Sequence, residues 1–199
     1  AGPSEVVVYA DGTADPQWAA AEIIAQAEHD ESTRPILIAS SDDVLRRIRE
    51  ALERRIGEEP RRDVIRRALE RSGLFLAIPS AAEAAARIDV IAPEHLSILC
   101  AEPRAFASRV RNAGAIYVGS LSPVAMRDYL AGPNHVLPTG GTARFFSGLS
   151  VFDFIKRTSL IEFSEEALRR HLHDIQVLAD AEGLDAHKRS AEIRFETME

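Results

Sequence analysis

Short apolar runs alternate with longer amphipathic segments along the first 120 residues, and that alternation leaves few folds open to the chain. VVVYA (6–10), PILIA (35–39), LFLAI (74–78), HLSIL (95–99) and AIYVG (115–119) are apolar runs bounded by turn formers, most of them rich in β-branched residues, as buried strands are. The segments around them, 14–29, 41–56, 60–72, 80–88 and 103–112, carry a helical pattern. In 41–56, Val44, Ile48, Leu52 and Ile56 share one face behind capping Ser and Asp residues. In 60–72, Val64, Ile65, Ala68 and Leu69 do the same, and Gly73 stands where that helix would end. Strands separated by helices imply right-handed βαβ crossovers and a mostly parallel sheet covered on both faces.

After residue 120 the texture changes. Gly132, Gly140, Gly141 and Gly148 with Pro123, Pro133 and Pro138 mark loops. A last helix is expected from Ser164, with Glu165 and Glu166 in its first turn, to Glu182, where Gly183 breaks it. The expected architecture is α/β. It has an incomplete Rossmann-like portion at 1–120, a loop-rich ligand segment at 121–163, and a C-terminal helical tail at 164–199. No Gly-x-Gly-x-x-Gly follows a strand, so a dinucleotide fingerprint is missing, and the absence of Gly-x-x-x-x-Gly-Lys-[Ser/Thr] disfavours a P-loop nucleotide enzyme.

Charge and cysteine usage narrow the partners. Thirty-one acidic against 24 basic residues leave −7, so non-specific attraction to nucleic acid is not expected. The arginines between Asp42 and Arg71 are interleaved with acids, the pattern of an ion-paired helical surface. A single thiol, Cys100, in the apolar run HLSILC reads as a buried residue in a reducing cytoplasm. No window approaches the roughly 18 apolar residues of a membrane span, and the start lacks the basic region of a signal peptide.

Four segments carry groups able to do chemistry. Gln26 and His29 in QAEH lie three apart at a helix end, so both can point from one face toward a shared cation. In APEHL, Glu94 and His95 form an acid–base pair where a strand begins, although ligands of open α/β sheets usually sit at the opposite, carboxyl ends. DYLAGPNH offers Asp128 as a hard oxygen donor and His135 beyond a Gly-Pro turn. EGLDAH places Glu182 and His187 just past the last helix, on a tail. His171 and His173 read as surface residues of the helix itself. Together the donors suit zinc or a similar divalent ion, and the residues alone indicate an α/β metalloenzyme or a metal-binding module.

These segments resemble histidinol dehydrogenases in order and spacing. AGPSEVVVYADG, QAEHD, APEHL, the long DYLAGPNHVLPTGGTARFFSGLSVFDFIKRTSLIEFS stretch and EGLDAH carry the resemblance, which runs over nearly the whole chain. It implies an enzyme of histidine biosynthesis that oxidises L-histidinol to L-histidine through the aldehyde, using NAD and zinc. Zinc would fall to Gln26, His29 and Asp128, with His187 reaching across a homodimer. Glu94 and His95 would be the catalytic acid–base pair, and Ser4, His135 and Glu182 would join these residues in binding substrate.

The departures from the family are also informative. Its members are about twice this long, so the chain corresponds to their C-terminal half. Most NAD contacts would then lie in an N-terminal half that would be a partner of this one. Ala1 in place of Met fits a cleavage product or one part of a longer polypeptide. Arg127 stands where a small residue is usual before Asp128. The alternatives are a related zinc-dependent polyol or alcohol dehydrogenase and a non-catalytic metal- or ligand-binding fragment.

Overall fold

The strand β1 (Glu5–Ala10) is buried at every position, as a central strand of a parallel sheet must be. It pairs on one side with β2 (Arg34–Ala39) and on the other with β4 (His95–Leu99). The strands β3 (Leu74–Ala77) and β5 (Ala115–Val118) close the edges, giving five parallel strands in the order β3-β2-β1-β4-β5. The computed structural model describes residues 2–196; Ala1 and the end of the tail expected over 164–199 lie outside them. It divides into two units, Ala1–Asp153 and Phe154–Glu199.

Side-chain alternation divides the core of the first unit into two layers. Val6, Val8 and Ala10 pack with Leu37 and Ala39 under α1 (Pro16–Ala27), α2 (Asp42–Ile56) and α3 (Arg62–Ser72). Val7 and Tyr9 face the other way, with Ile36, Ile38, Leu96 and Ile98, under α4 (Ala81–Ile91) and α5 (Pro103–Ala107). Local chemistry starts these helices. Asp15 accepts a hydrogen bond from the Gln17 N–H at 2.8 Å, and Pro16 pre-sets the first turn of α1. Ser41 caps α2, whose Asp42 and Asp43 sit in the first turn and Arg54 and Arg55 in the last, matching the helix dipole.

Three expectations change. The helix expected over 103–112 stops at Ala107, because Asp89 captures the N–H groups of Arg111 and Asn112 at 2.7 and 2.9 Å. A short helix, α6 (Val124–Tyr129), forms inside the segment read as loop, so Asp128 is carried on helical backbone. The helix that Gly183 breaks is not the last, since the tail carries a second helix in the other unit. There, α7 (Glu165–Glu182) ends at Gly183 in the left-handed region, φ +69°, and α8 (Asp185–Glu196) follows. The two helices are held together by Gln176–Glu192 at 2.7 Å, Lys188–Asp180 at 2.9 Å, and the Arg169 guanidinium 4.3 Å above the Phe195 ring.

Residues 134–149 are tied back to the sheet rather than hanging free. The Gly140 N–H donates to Glu5 Oε2 of β1 at 3.2 Å and Arg144 donates to the Val90 carbonyl of α4, while Asn134 closes the segment on itself through the Leu149 carbonyl. No helix among the described residues is long and apolar enough to cross a membrane.

Ile23, fully buried on α1, should report how firmly that helix is seated. Ile23→Ala is expected to cost about 2–5 kcal/mol. In urea unfolding this would appear as a lower midpoint with an unchanged slope.

Candidate active site

The carboxyl ends of the strands, the usual ligand crevice, are laced shut at the centre of the sheet. Asp11, just after β1, accepts hydrogen bonds from Thr13 N–H at 2.9 Å, Thr13 O–H at 2.5 Å and Ala101 N–H at 2.9 Å. The candidate chemistry gathers at the opposite, amino edge.

Alternation along β4 puts His95, Ser97 and Leu99 on one face, and Leu99 belongs to the layer under α1. His95 therefore points to the side where α1 ends. Ser97 is in register with Tyr117 of β5, which brings the phenol to the same face. His95 Nδ1 and the Tyr117 hydroxyl are 3.0 Å apart. The preceding turn is tight: Ala92 closes α4 at φ +50°, a left-handed conformation that costs an alanine about 1 kcal/mol. From there Glu94 folds back so that its Oε2 accepts the Glu5 N–H at 3.1 Å and lies 3.7 Å from His95 Nε2.

The other residues close around this pair. The His135 ring meets the His95 ring edge-on at 5.9 Å, and His135 Nδ1 is 3.1 Å from Asp128 Oδ1. His29 stands just past the end of α1, with Nδ1 3.5 Å from the Ser4 hydroxyl. Gln26, one turn earlier, is 2% exposed. Gln26 Oε1 and Asp128 Oδ1 are both buried without a hydrogen-bond donor; the His135 contact has ion-pair distance but not hydrogen-bond alignment. The structure thus brings Ser4, Gln26, His29, Glu94, His95, Asp128 and His135 to one edge of the sheet. Glu182, the last residue of α7, and His187, in the first turn of α8, belong to the other unit and are exposed.

Burial sets the electrostatics. His95 is 2% exposed, and desolvation pulls its pKa down to about 4, helped by the positive charges of His135, Arg127 and His29. Desolvation pushes the Glu94 carboxyl the other way, above its ordinary value, with Glu5 adding to the shift. The pair therefore favours a neutral imidazole beside a carboxyl whose proton affinity is raised toward the working pH. Tyr117 is also raised by burial, which keeps it a protonated phenol.

Two residues that reading the sequence passed over belong to this site. Tyr117 contacts His95, and its signal was a phenol inside an otherwise apolar strand. Glu22 accepts the Val124 N–H at 3.1 Å, and its signal was sharper: it is the only charged residue in the helix PQWAAAEIIAQA. Its carboxyl is raised by burial and by the nearby charge of Asp128. Arg127 has one guanidinium nitrogen, Nη1, buried without a partner. Among the described residues no three His, Cys, Asp or Glu side chains form a metal cluster. The candidate donors of this unit are two of those types plus the Gln26 amide.

The family model for histidinol dehydrogenase matches residues 1–195. The chain belongs to the histidinol dehydrogenase family. Histidinol dehydrogenase from Bacillus cereus is 46% identical over 199 residues, covering 100% of this chain and 46% of that protein. The enzyme of the same name from Gluconobacter oxydans is 48% identical over 196 residues, 98% of this chain and 46% of the relative. A crystal structure of histidinol dehydrogenase from Elizabethkingia anophelis superposes with a TM-score of 0.90 at 32% identity, covering 100% of this chain and 46% of that one. The chain therefore spans about half the length of the family members it matches.

The lowered pKa of His95 predicts an acid-sensitive fold. The unfolded chain takes up this proton below about pH 6.5, the folded chain only near pH 4, so stability falls as pH drops through that window. The loss is on the order of 3 kcal/mol. His95→Gln should remove most of it from the pH dependence of urea unfolding, and parallel profiles for the two proteins would contradict the assignment.

Proposed function

We propose that this chain supplies the zinc- and substrate-binding half of an NAD-dependent L-histidinol dehydrogenase, which oxidises L-histidinol to L-histidine through L-histidinaldehyde. The observation that carries the reading is the buried Glu94–His95 pair, gathered at one sheet edge with two buried oxygens, Gln26 Oε1 and Asp128 Oδ1, that lack donors. A buried oxygen without a donor costs about 1–3 kcal/mol. A cation in contact with such oxygens offsets that cost, so the residues present fit a metal.

Gln26, His29 and Asp128 would hold zinc, with His187 contributed across a homodimer interface. This set of two oxygens and two imidazoles suits zinc's preference for N and O donors. Zinc when bound supplies positive charge that orients the imidazole and amine of the substrate, and the neutral Gln26 amide leaves more of that charge in place. Ser4, His135 and Glu182 complete the substrate contacts.

The proton transfers then divide between the two residues of the pair. In the first oxidation the carbinol carbon gives a hydride to NAD, and His95, neutral because it is buried, accepts the hydroxyl proton. In the second, Glu94 takes a proton from the water that adds to the aldehyde. The hydrate anion so formed then gives a second hydride to another NAD, leaving the carboxylic acid. Glu94 in its ionised form is a stronger base than an exposed carboxylate because burial raises its pKa. The NAD contacts are assigned to the other half of the enzyme, in keeping with the missing glycine fingerprint. A cytoplasmic location belongs to the same proposal, supported by the single cysteine.

Two measurements on the complete enzyme test this division. Glu94→Gln should slow oxidation of L-histidinaldehyde by about 10²–10⁴-fold while the hydride transfer from L-histidinol is largely kept; equal losses in NADH formation from the two substrates would sink the split. Dimers inactivated by His29→Asn and by His187→Ala should regain about a quarter of wild-type activity on random re-association, since half the dimers then carry one intact site. No recovery would place His187 in its own subunit's site, or outside the site altogether.

A further inference from the structure

We propose that Glu22 is a positioning residue that clips the helix bearing Asp128 onto the helix bearing Gln26 and His29, and so sets the spacing of the metal donors. The inference rests on those three residues being ligands.

Its basis is geometric. Glu22, Gln26 and His29 follow at i, i+4 and i+7, one stripe along α1 and its end. Glu22 sends its carboxylate across to α6, where Oε2 accepts the Val124 N–H at 3.1 Å over a separation of 102 residues. Val124 opens α6, and Asp128 follows four residues on, one turn along the same helix.

At the start of that helix the Met126 N–H donates to the Pro123 carbonyl at 3.0 Å, but the N-cap residue supplies no side-chain cap. Its N-cap is Pro123, which has no side-chain oxygen, and no side-chain cap bond is made there. A six-residue helix is too short to be stable on its own, so an external acceptor for its first N–H groups decides where it sits. Glu22 is the only charged residue of α1, and inside a helix that otherwise packs on the core a carboxylate is retained only with a partner. Val124 itself is 1% exposed, which anchors the first turn of α6 beneath the bond.

A clip of this kind acts through the ligands without touching the metal. Glu22→Ala removes none of Gln26, His29 and Asp128 but frees the α6 turn, and Asp128 with it, to drift. Glu22→Gln keeps an acceptor oxygen at the same reach. Glu22→Asp keeps the charge but shortens the arm by one methylene.

Zinc affinity of the complete enzyme, measured by chelator competition, decides between these roles. The Ala and Asp variants should bind zinc about 10–100-fold more weakly, and the Gln variant should stay close to wild type. Far-UV circular dichroism of the metal-free proteins should be unchanged. Wild-type affinity in the Asp variant, or a Gln variant as weak as Asp, overturns the proposal. These two near-isosteric variants decide the matter even where Ala fails to fold. His29→Asn serves as the reference. If it too keeps wild-type zinc affinity, the ligand assignment has failed; if it loses zinc while Glu22→Asp does not, only the clip has failed.

Discussion

In-register pairing of β1 with β4, Val6 opposite His95, is the constraint on which the rest of the molecule depends. It brings Glu5 next to Glu94, and the single residue Glu5 then holds three pieces of chain. Its N–H donates to the Glu94 carboxylate, while its own carboxylate accepts from Arg34 at 3.1 Å and from the Gly140 N–H at 3.2 Å. Shifting the register by one residue would turn His95 to the opposite face of the sheet, away from α1. The site therefore inherits its precision from backbone pairing in a fully buried strand, where slippage would strip both core layers at once.

Burial is the second organising influence, and it acts in opposite senses on the two residues of the pair. An imidazole loses its proton more easily when desolvated, and a carboxyl holds its proton more tightly. Placing His95 and Glu94 side by side under the same protein roof thus yields a neutral acceptor and a strengthened base without any special residue. The same roof leaves Gln26 Oε1 and Asp128 Oδ1 without hydrogen-bond donors.

The amino-edge location runs against the habit of open α/β sheets. With β1 flanked by β2 and β4, the strand order places a switch point beside β1, where ligands ordinarily settle at the carboxyl ends. Here Asp11 fills that place with three hydrogen bonds to neighbouring backbone and Thr13. The other edge is free for chemistry because α1 ends there and the chain after α6 returns to it, as the Glu5–Gly140 bond records.

Much of this was legible in the residues themselves. Strand and helix periods, the caps at Asp15 and Ser41 and the break at Gly183 depend on neighbours within a few positions, so local chemistry sufficed to place them. The termination of α5 at Ala107 and the short α6 were not legible. They are decided by Asp89 and Glu22, partners far along the chain. The candidate residues could be named from their types, whereas their meeting required register and topology: Ser4, His29, Glu94 and Asp128 have no sequence relation that brings them together. Tyr117 and Glu22 were missed for the same reason, since each looks ordinary until its partner arrives from another element. The amino-acid order by itself determined the elements, because capping and hydrophobic period are short-range. Only the tertiary structure decided the site, because proton affinity and donorless oxygens arise from what surrounds a group once water has been excluded.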